Sequence, residues 1–361
     1  MKVIQMLTTI SYGDAVGNDV LALHRVILRM GYETGIYAEN IDLRLPKDTA
    51  KNVHLIPPLK EDDVIIYHLS TGTRLNYELE NYPGRKVIVY HNITPPAFFE
   101  GYSSNALELG ADGLRGMAYL ADTAQYCLAD SAFNKQQLLE AGYTCRIDVL
   151  PILIPFRDYE KKPAQKIIKA YAGDGYTNLL FTGRIAPNKR QEDVIRTFYF
   201  YKKYYNEKSR LFLVGSYAGM ERYYQRLLDY IDRLELEQVY FTGHIRFEEI
   251  LAYYHIADAF VCMSEHEGFC VPLIEAMYFN IPVIAYDSSA IADTLGGSGF
   301  LTATKDPLVN AGILNRILQD QDLRETMLKK QAQRLHDFRS EAVEEAFQSC
   351  LNSFLRTGVV T

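Results

Sequence analysis

No apolar run in this 361-residue chain approaches the roughly 18 residues that a membrane-spanning helix needs. Cysteine is sparse and odd in number, at Cys127, Cys145, Cys262, Cys270 and Cys350, and no two form a C-x-x-C pair. A disulfide scaffold and a zinc ribbon are therefore unsupported, and buried thiols in a reducing compartment are expected. Positive charge is not in excess. The formal net charge is −7 and the pI about 5.7, which argues against a nucleic-acid binder that works by neutralising phosphates. H-E-x-x-H, EF-hand and zinc-ligand spacings are missing, so no metal and no cofactor are expected. The acidic groups Asp62-Asp63 and Asp320-Gln321-Asp322 read as solvated or capping, not as a D-x-D metal site. G-x-x-x-x-G-K-[ST] and G-x-S-x-G are also missing, and no compact G-x-G-x-x-G follows the first strand. These three absences weigh against a P-loop nucleotidase, an α/β-hydrolase and a nicotinamide dehydrogenase.

What is present is an alternation of short apolar runs with helical patterns, the mark of stacked βα units. In the first half, strands are expected at 2–7, 33–38, 64–69, 86–91, 126–130 and 146–150, with helices such as 18–30 and 134–141. Gly31 and Gly142 stand where helices stop. Residues 156–176 are polar and mixed and read as a linker. A second series of strands follows at 178–182, 210–215, 238–242, 258–263 and 282–286. Three helices close the chain, at 307–318, 322–336 and 340–355, with Asp322 and Ser340 as N-caps. The chain thus divides into an N-terminal Rossmann-like domain (1–155), the linker (156–176), a second such domain (177–339) and a terminal helix (340–361) that packs back on the first domain. Ligands in doubly wound sheets bind beyond the carboxyl ends of the strands. The loops after strands therefore carry the informative residues.

The richest of these loops runs from Ser264 to Met277. Gly268 allows a tight turn, and Pro272 suits a first helical turn. Backbone N–H groups around Phe269, Cys270 and Val271 would then form an anion site at a helix N-terminus, suited to a diphosphate. Glu267 lies in the loop and Glu275 in the helix. After the first strand of the second half comes Gly183-Arg184, with Lys189 five residues on. An Arg fork and a Lys point charge together can neutralise a leaving diphosphate without metal. Lys189 and Arg190 adjoin, and one of the two is read as solvated. His91 ends a strand and enters the Pro95-Pro96 loop. Gly13, Asp14 and Gly17 follow the first strand, where Asn18 or Asp19 would cap the helix.

The run E-G-F-x-x-P-x-x-E-A, here Glu267 to Ala276, resembles the signature of glycosyltransferase family 4. The resemblance extends across the second half and into several N-terminal positions. It implies an α/β protein of the GT-B fold: two Rossmann-like doubly wound domains facing an interdomain cleft. It also implies transfer of a hexose from a UDP- or GDP-linked sugar, with retention, to a glycan or lipid-linked hydroxyl in surface polysaccharide assembly. By motif match, Glu267 contacts the donor sugar near the reacting centre and Glu275 holds the ribose. Arg184 and Lys189 stabilise the leaving phosphate, and His91 contacts the sugar or supports the reacting centre. Gly17, Gly183, Gly215, Ile245, Gly268, Phe269, Cys270 and Val271 line the donor, and Asp14 meets the acceptor. The family's glycine pair is spaced here, with Asp14 between Gly13 and Gly17. A cytoplasmic protein, at most peripheral to the inner face of a membrane, is expected. The competing readings are a sugar-nucleotide epimerase on the same fold and a non-catalytic nucleotide-sugar-binding subunit.

Overall fold

The computed structural model describes residues 1–357. The chain forms two compact units. One comprises Met1–Ala97, Asn105–Phe156 and the chain from Asp337; the other comprises Phe98–Ser104 and Arg157–His336.

The first unit runs β1 (Val3–Ile10), α1 (Ala15–Arg29), β2 (Ile36–Ile41), β3 (Lys51–Asn52), β4 (Val64–Leu69), α2 (Leu75–Glu78), β5 (Arg85–Tyr90), α3 (Ser104–Tyr119), β6 (Tyr126–Ala129), α4 (Ala132–Glu140) and β7 (Ile147–Val149). The strands form one parallel sheet in the order β3-β2-β1-β4-β5-β6-β7. All six residues of β4 are buried, as expected for a parallel strand covered on both faces. The order reverses between β1 and β4, so ligand chemistry belongs at the carboxyl ends of those strands.

The second unit runs α5 (Gln165–Tyr171), β8 (Thr177–Thr182), α6 (Gln191–Tyr204), β9 (Ser209–Val214), α7 (Glu221–Arg233), β10 (Val239–Gly243), α8 (Phe247–Ile256), β11 (Ala259–Cys262), α9 (Val271–Tyr278), β12 (Val283–Tyr286), α10 (Ile291–Leu295), β13 (Phe300–Thr302), α11 (Pro307–Gln319) and α12 (Gln321–Arg334). Its parallel sheet is ordered β10-β9-β8-β11-β12-β13, with the reversal between β8 and β11. Both sheets therefore start from the same doubly wound order, which the alternating pattern of the sequence implies.

Helix α13 (Ser340–Thr357) belongs to the first unit. Val343, Phe347, Leu351 and Phe354 recur at helical spacing and are buried among Val3, Leu23 and Val26. The Ser340 hydroxyl donates to the carbonyl of Ile154 at 3.1 Å. Residues 156–176, which read as a linker, hold a 3₁₀ turn at Phe156–Glu160 and helix α5, and Tyr159 is buried. The helix caps differ from expectation. Asp14 caps α1 by accepting from Gly17 N, and Asp320, not Asp322, caps α12 by accepting from Leu323 N. Each sits one residue before its helix, where a carboxylate meets the unpaired N–H groups of the first turn. No helix among the described residues is long and apolar enough to cross a membrane.

Candidate active site

In the second unit, the loops after β8, β11 and β12 converge at the reversal of strand order. The loop after β11 is pinned by its neighbours through backbone and side-chain bonds. Glu265 N donates to Asn188 O at 2.8 Å, and the Asn188 amide donates to His266 O at 3.1 Å. From the β12 side, Ser288 donates to Ser264 O at 2.6 Å, and Ser289 Oγ accepts from Glu267 N at 2.8 Å. These bonds fix the backbone on both sides of Glu267.

Its side chain is 8% exposed and pairs with Lys189 Nζ at 2.5 Å. Burial disfavours the Lys189 ammonium, but the carboxylate beside it outweighs that cost and holds its pKa above the ordinary value. Residues 78 apart in sequence thus meet in one ion pair. Neither basic neighbour is merely solvated. Arg190 pairs with Glu192 and Asp193 at 3.1 and 3.0 Å, and with Glu265 at 3.5 Å. Lys305 joins that network through Asp193 and Glu265.

Arg184 is exposed and donates to the carbonyl of Ala218 at 3.1 Å, from the turn after β9. Gly183 and Gly215 bring those two turns together. A Cβ on Gly215 would lie 1.9 Å from Gly183 O, so only glycine allows the approach. Helix α9 starts after Cys270, which is left-handed at φ 72 and makes no side-chain cap. Phe269 is buried, and its carbonyl accepts from the Thr294 hydroxyl. Gly268 and Val271 flank this turn. Ile245 follows Gly243, which bridges to Gly215 in the turn after β9. It lies between β10 and α8, and β10 is the edge strand, two strands away from β8.

Glu275 projects from α9 into a group of hydroxyls. Oε2 accepts from Tyr254 at 2.5 Å and Oε1 accepts from Tyr159 at 3.0 Å. Thr182 lies 2.5 Å from the Tyr254 oxygen. Burial raises the Glu275 pKa, and the two tyrosine hydroxyls act against that shift. The sequence reading missed Tyr159, Tyr254, Asn188, Ser288 and Ser289. A tyrosine in a region read as linker gave no signal of a carboxylate partner.

In the first unit, His91 does not present its ring as expected. Its side chain is 0% exposed and both nitrogens are engaged. Nδ1 lies 2.9 Å from Asp130 Oδ2, and Nε2 lies 2.8 Å from His68 Nδ1. His68 Nε2 lies 2.9 Å from Gln5 Oε1. Gln5 gives its amide N–H to Val20 O at 3.0 Å, so its oxygen faces His68 and His68 Nε2 carries a proton. The chain Gln5–His68–His91–Asp130 has three gaps and each needs one proton. Two neutral imidazoles supply two. The third proton resides in the His91–Asp130 pair. Burial works against the His91 cation, but Asp130, with Asp19 and Asp14, overcomes it and raises the His91 pKa. Burial keeps the His68 pKa well below its ordinary value, so His68 is the neutral ring.

Asp19 is not a helix cap. It is buried, accepts from Leu153 N at 2.8 Å, and has its pKa pushed up to about 7 by burial. Asp14 directs Oδ1 to Gly17 N at 2.6 Å. Gly17 itself packs on its loop, where a Cβ would come 2.5 Å from Ser11 O.

This geometry meets a set of known proteins. Residues 164–334 match the family described as Glycosyl transferases group 1. Among curated proteins, the O-antigen chain mannosyltransferase B of Escherichia coli is 26% identical over 56% of this chain and 54% of its own. The GDP-mannose-dependent alpha-mannosyltransferase of Mycolicibacterium smegmatis is 31% identical over 35% of this chain and 29% of its own. The chain thus spans about half or less of these relatives. Among solved structures, HepE of Anabaena in complex with UDP and glucose aligns with a TM-score of 0.76 at 18% identity, over 98% of this chain and 100% of that one. The fold is GT-B.

Proposed function

We propose that the chain is a retaining glycosyltransferase. It moves a hexose from a nucleoside-diphosphate sugar to a hydroxyl of a glycan or lipid-linked acceptor, without metal. The observation that carries this reading is the Lys189–Glu267 pair at the carboxyl ends of β8 and β11, where the strand order reverses. Cleavage of the donor places negative charge on the leaving phosphate. Arg184 and Lys189 stabilise that charge more in the transition state than in the ground state. The Lys189 ammonium has three donors and spends one on Glu267, leaving two for phosphate oxygens. The first turn of α9, with Gly183, Gly215, Gly268, Phe269, Cys270 and Val271 around it, receives the diphosphate through backbone N–H groups.

Glu267, fixed beside Lys189, supports positive charge that develops on the donor sugar. Glu275 has spent one lone pair of each oxygen on a tyrosine, so it still accepts ribose hydroxyls. His91 acts by fixing the loop after β5 and not by touching the sugar, because its ring is enclosed. Asp14 and Gly17 remain the acceptor-side candidates, and Ile245 a contact to the donor base. Mannose carried by GDP is the first donor to test, since the two curated relatives above are named for mannosyl transfer. UDP-glucose is the second, given the ligands of HepE.

The test combines ligand-induced thermal shift with product analysis. A donor at 100 times its Kd should stabilise the protein by about 2.7 kcal/mol. With the donor so found, the product should retain the anomeric configuration, and full turnover should persist in a chelator. Glu267→Gln should lower turnover by roughly 100-fold or more while nucleotide affinity changes little. An inverted product, or turnover unchanged in Glu267→Gln, would overturn the assignment.

A further inference from the structure

Two thiols stand beside Glu267 that the transfer chemistry leaves unused. Cys262 ends β11 and Cys270 precedes α9, and both are buried. Their sulfurs and a Glu267 carboxylate oxygen all lie within 4.8 Å of one another. Cys262 Sγ also donates to Ser264 Oγ at 3.4 Å. Cys270 holds left-handed backbone at φ 72 and ψ 64, a conformation that favours glycine. A side chain kept at such a position against its backbone preference points to a use for that side chain.

We propose that Cys262, Cys270 and Glu267 form a site for a thiophilic divalent cation of the zinc class, and that a cation there draws Glu267 away from Lys189. Two sulfurs and one carboxylate oxygen suit a tetrahedral ion with its fourth position open. Metal–sulfur and metal–oxygen bonds of about 2.3 and 2.1 Å set the two sulfurs about 3.8 Å apart and each sulfur about 3.6 Å from the oxygen. The three atoms therefore need to close in by at most about 1 Å. Binding releases the two thiol protons to solvent. Two thiolates, one carboxylate and a dication leave one surplus negative charge, which the Lys189 ammonium beside them balances. The blocking of Glu267 rests on the proposed transfer reaction; the binding of the cation does not.

The experiment titrates the full-length, reduced, metal-free protein with Cd²⁺, following the near-ultraviolet thiolate–cadmium band and turnover together. One equivalent should produce the band and lower turnover at least tenfold, and excess chelator should reverse both. Cys262→Ala and Cys270→Gly should each weaken Cd²⁺ binding by about tenfold or more. In each variant the residual turnover, set against its own metal-free rate, should resist Cd²⁺. Cys145→Ser, which breaks up the second thiol pair with Cys127 (Sγ to Sγ 3.6 Å), should keep the band. A band that survives in both Cys262→Ala and Cys270→Gly overturns the site. A band lost in both, with wild-type turnover untouched at saturating Cd²⁺, overturns the blocking of Glu267. Should no donor be turned over at all, the functional reading fails, and the cadmium titration still decides the site.

Discussion

Glu275 shows how a single carboxylate is made usable inside a protein. Its two oxygens are bound by Tyr254 and Tyr159, and Thr182 in turn supports Tyr254. Removing the Tyr254 hydroxyl takes a short bond from a buried carboxylate, and bonds to charged groups are worth about 1.5–3 kcal/mol. Tyr254→Phe should therefore lower unfolding stability by about that amount in a urea titration. It should also weaken nucleoside-diphosphate binding in calorimetry, because Glu275 loses its orientation. Wild-type stability together with wild-type affinity would remove Tyr254 from the site. At this scale the sequence was informative about residue type and silent about partners. The motif from Glu267 to Glu275 stands out as written, and so do Arg184 and Lys189. Lys189 meets Glu267 across 78 residues of chain, and Tyr159 reaches Glu275 across 116. No local pattern encodes such pairings, nor that Arg190 turns instead to Asp193 and Glu265. His68 is the instructive miss. It sits inside the buried run of β4, and Gln5 sits inside β1. Two polar residues buried within sheet strands demand buried partners, and that demand is a mark of the relay carried by the sequence itself.

The elements were legible where burial forces a pattern. Strands β1, β4, β5 and β8 are mostly apolar and buried, broken by few polar residues such as Gln5 and His68, and β4 agrees with its expected bounds to the residue. Strand β3 escaped because two residues are too few to show a period, and β13 was missed although β7, of the same three-residue length, was expected. Cap positions shifted by a few residues for a similar reason: Asp14 and Asp320 compete with nearby Asp19 and Asp322, and only the helix start decides among them. What no element pattern revealed is the close passage of the turns after β8 and β9. Gly215 permits it, with the position of its missing Cβ only 1.9 Å from a backbone oxygen that cannot swing aside. Gly215→Ala should consequently cost about 1–3 kcal/mol of stability, as overpacked positions do. It should also loosen nucleotide binding, because the same turns carry Gly183 and Arg184. An alanine variant with unaltered denaturation midpoint and nucleotide affinity would mean that the turns part without consequence.

At the scale of the whole molecule, the buried relay of the first unit couples folding to pH. His91 has a folded pKa above its unfolded value of roughly 6.5. Its contribution to stability is therefore complete below about pH 6.5 and is lost as pH rises through the folded value. Asp19, pushed up to about 7, acts in the same direction, since the unfolded carboxyl gives up its proton at lower pH than the folded one. His68 opposes them. Its folded pKa is depressed, so acidification below about 6.5 favours the unfolded ring, which can take up a proton. Burial raises the pKa of Asp130 and Asp14 as well, so they act in the same direction as Asp19. These contributions overlap in a wild-type profile, and a variant separates them. Asp130→Asn removes the carboxylate that holds His91 charged, while Asp19 and His68 keep their other surroundings. Breaking a buried pair in this way should cost about 3 kcal/mol or more below pH 6.5. The stability gap between wild type and variant should then narrow as pH rises past the folded pKa of His91. The His91 ring resonances, followed by NMR, should titrate above 6.5 in the wild type and at lower pH in the variant. A gap that stays constant across this range, or a ring whose titration Asp130→Asn leaves unmoved, would place the third proton of the relay elsewhere than in the His91–Asp130 pair.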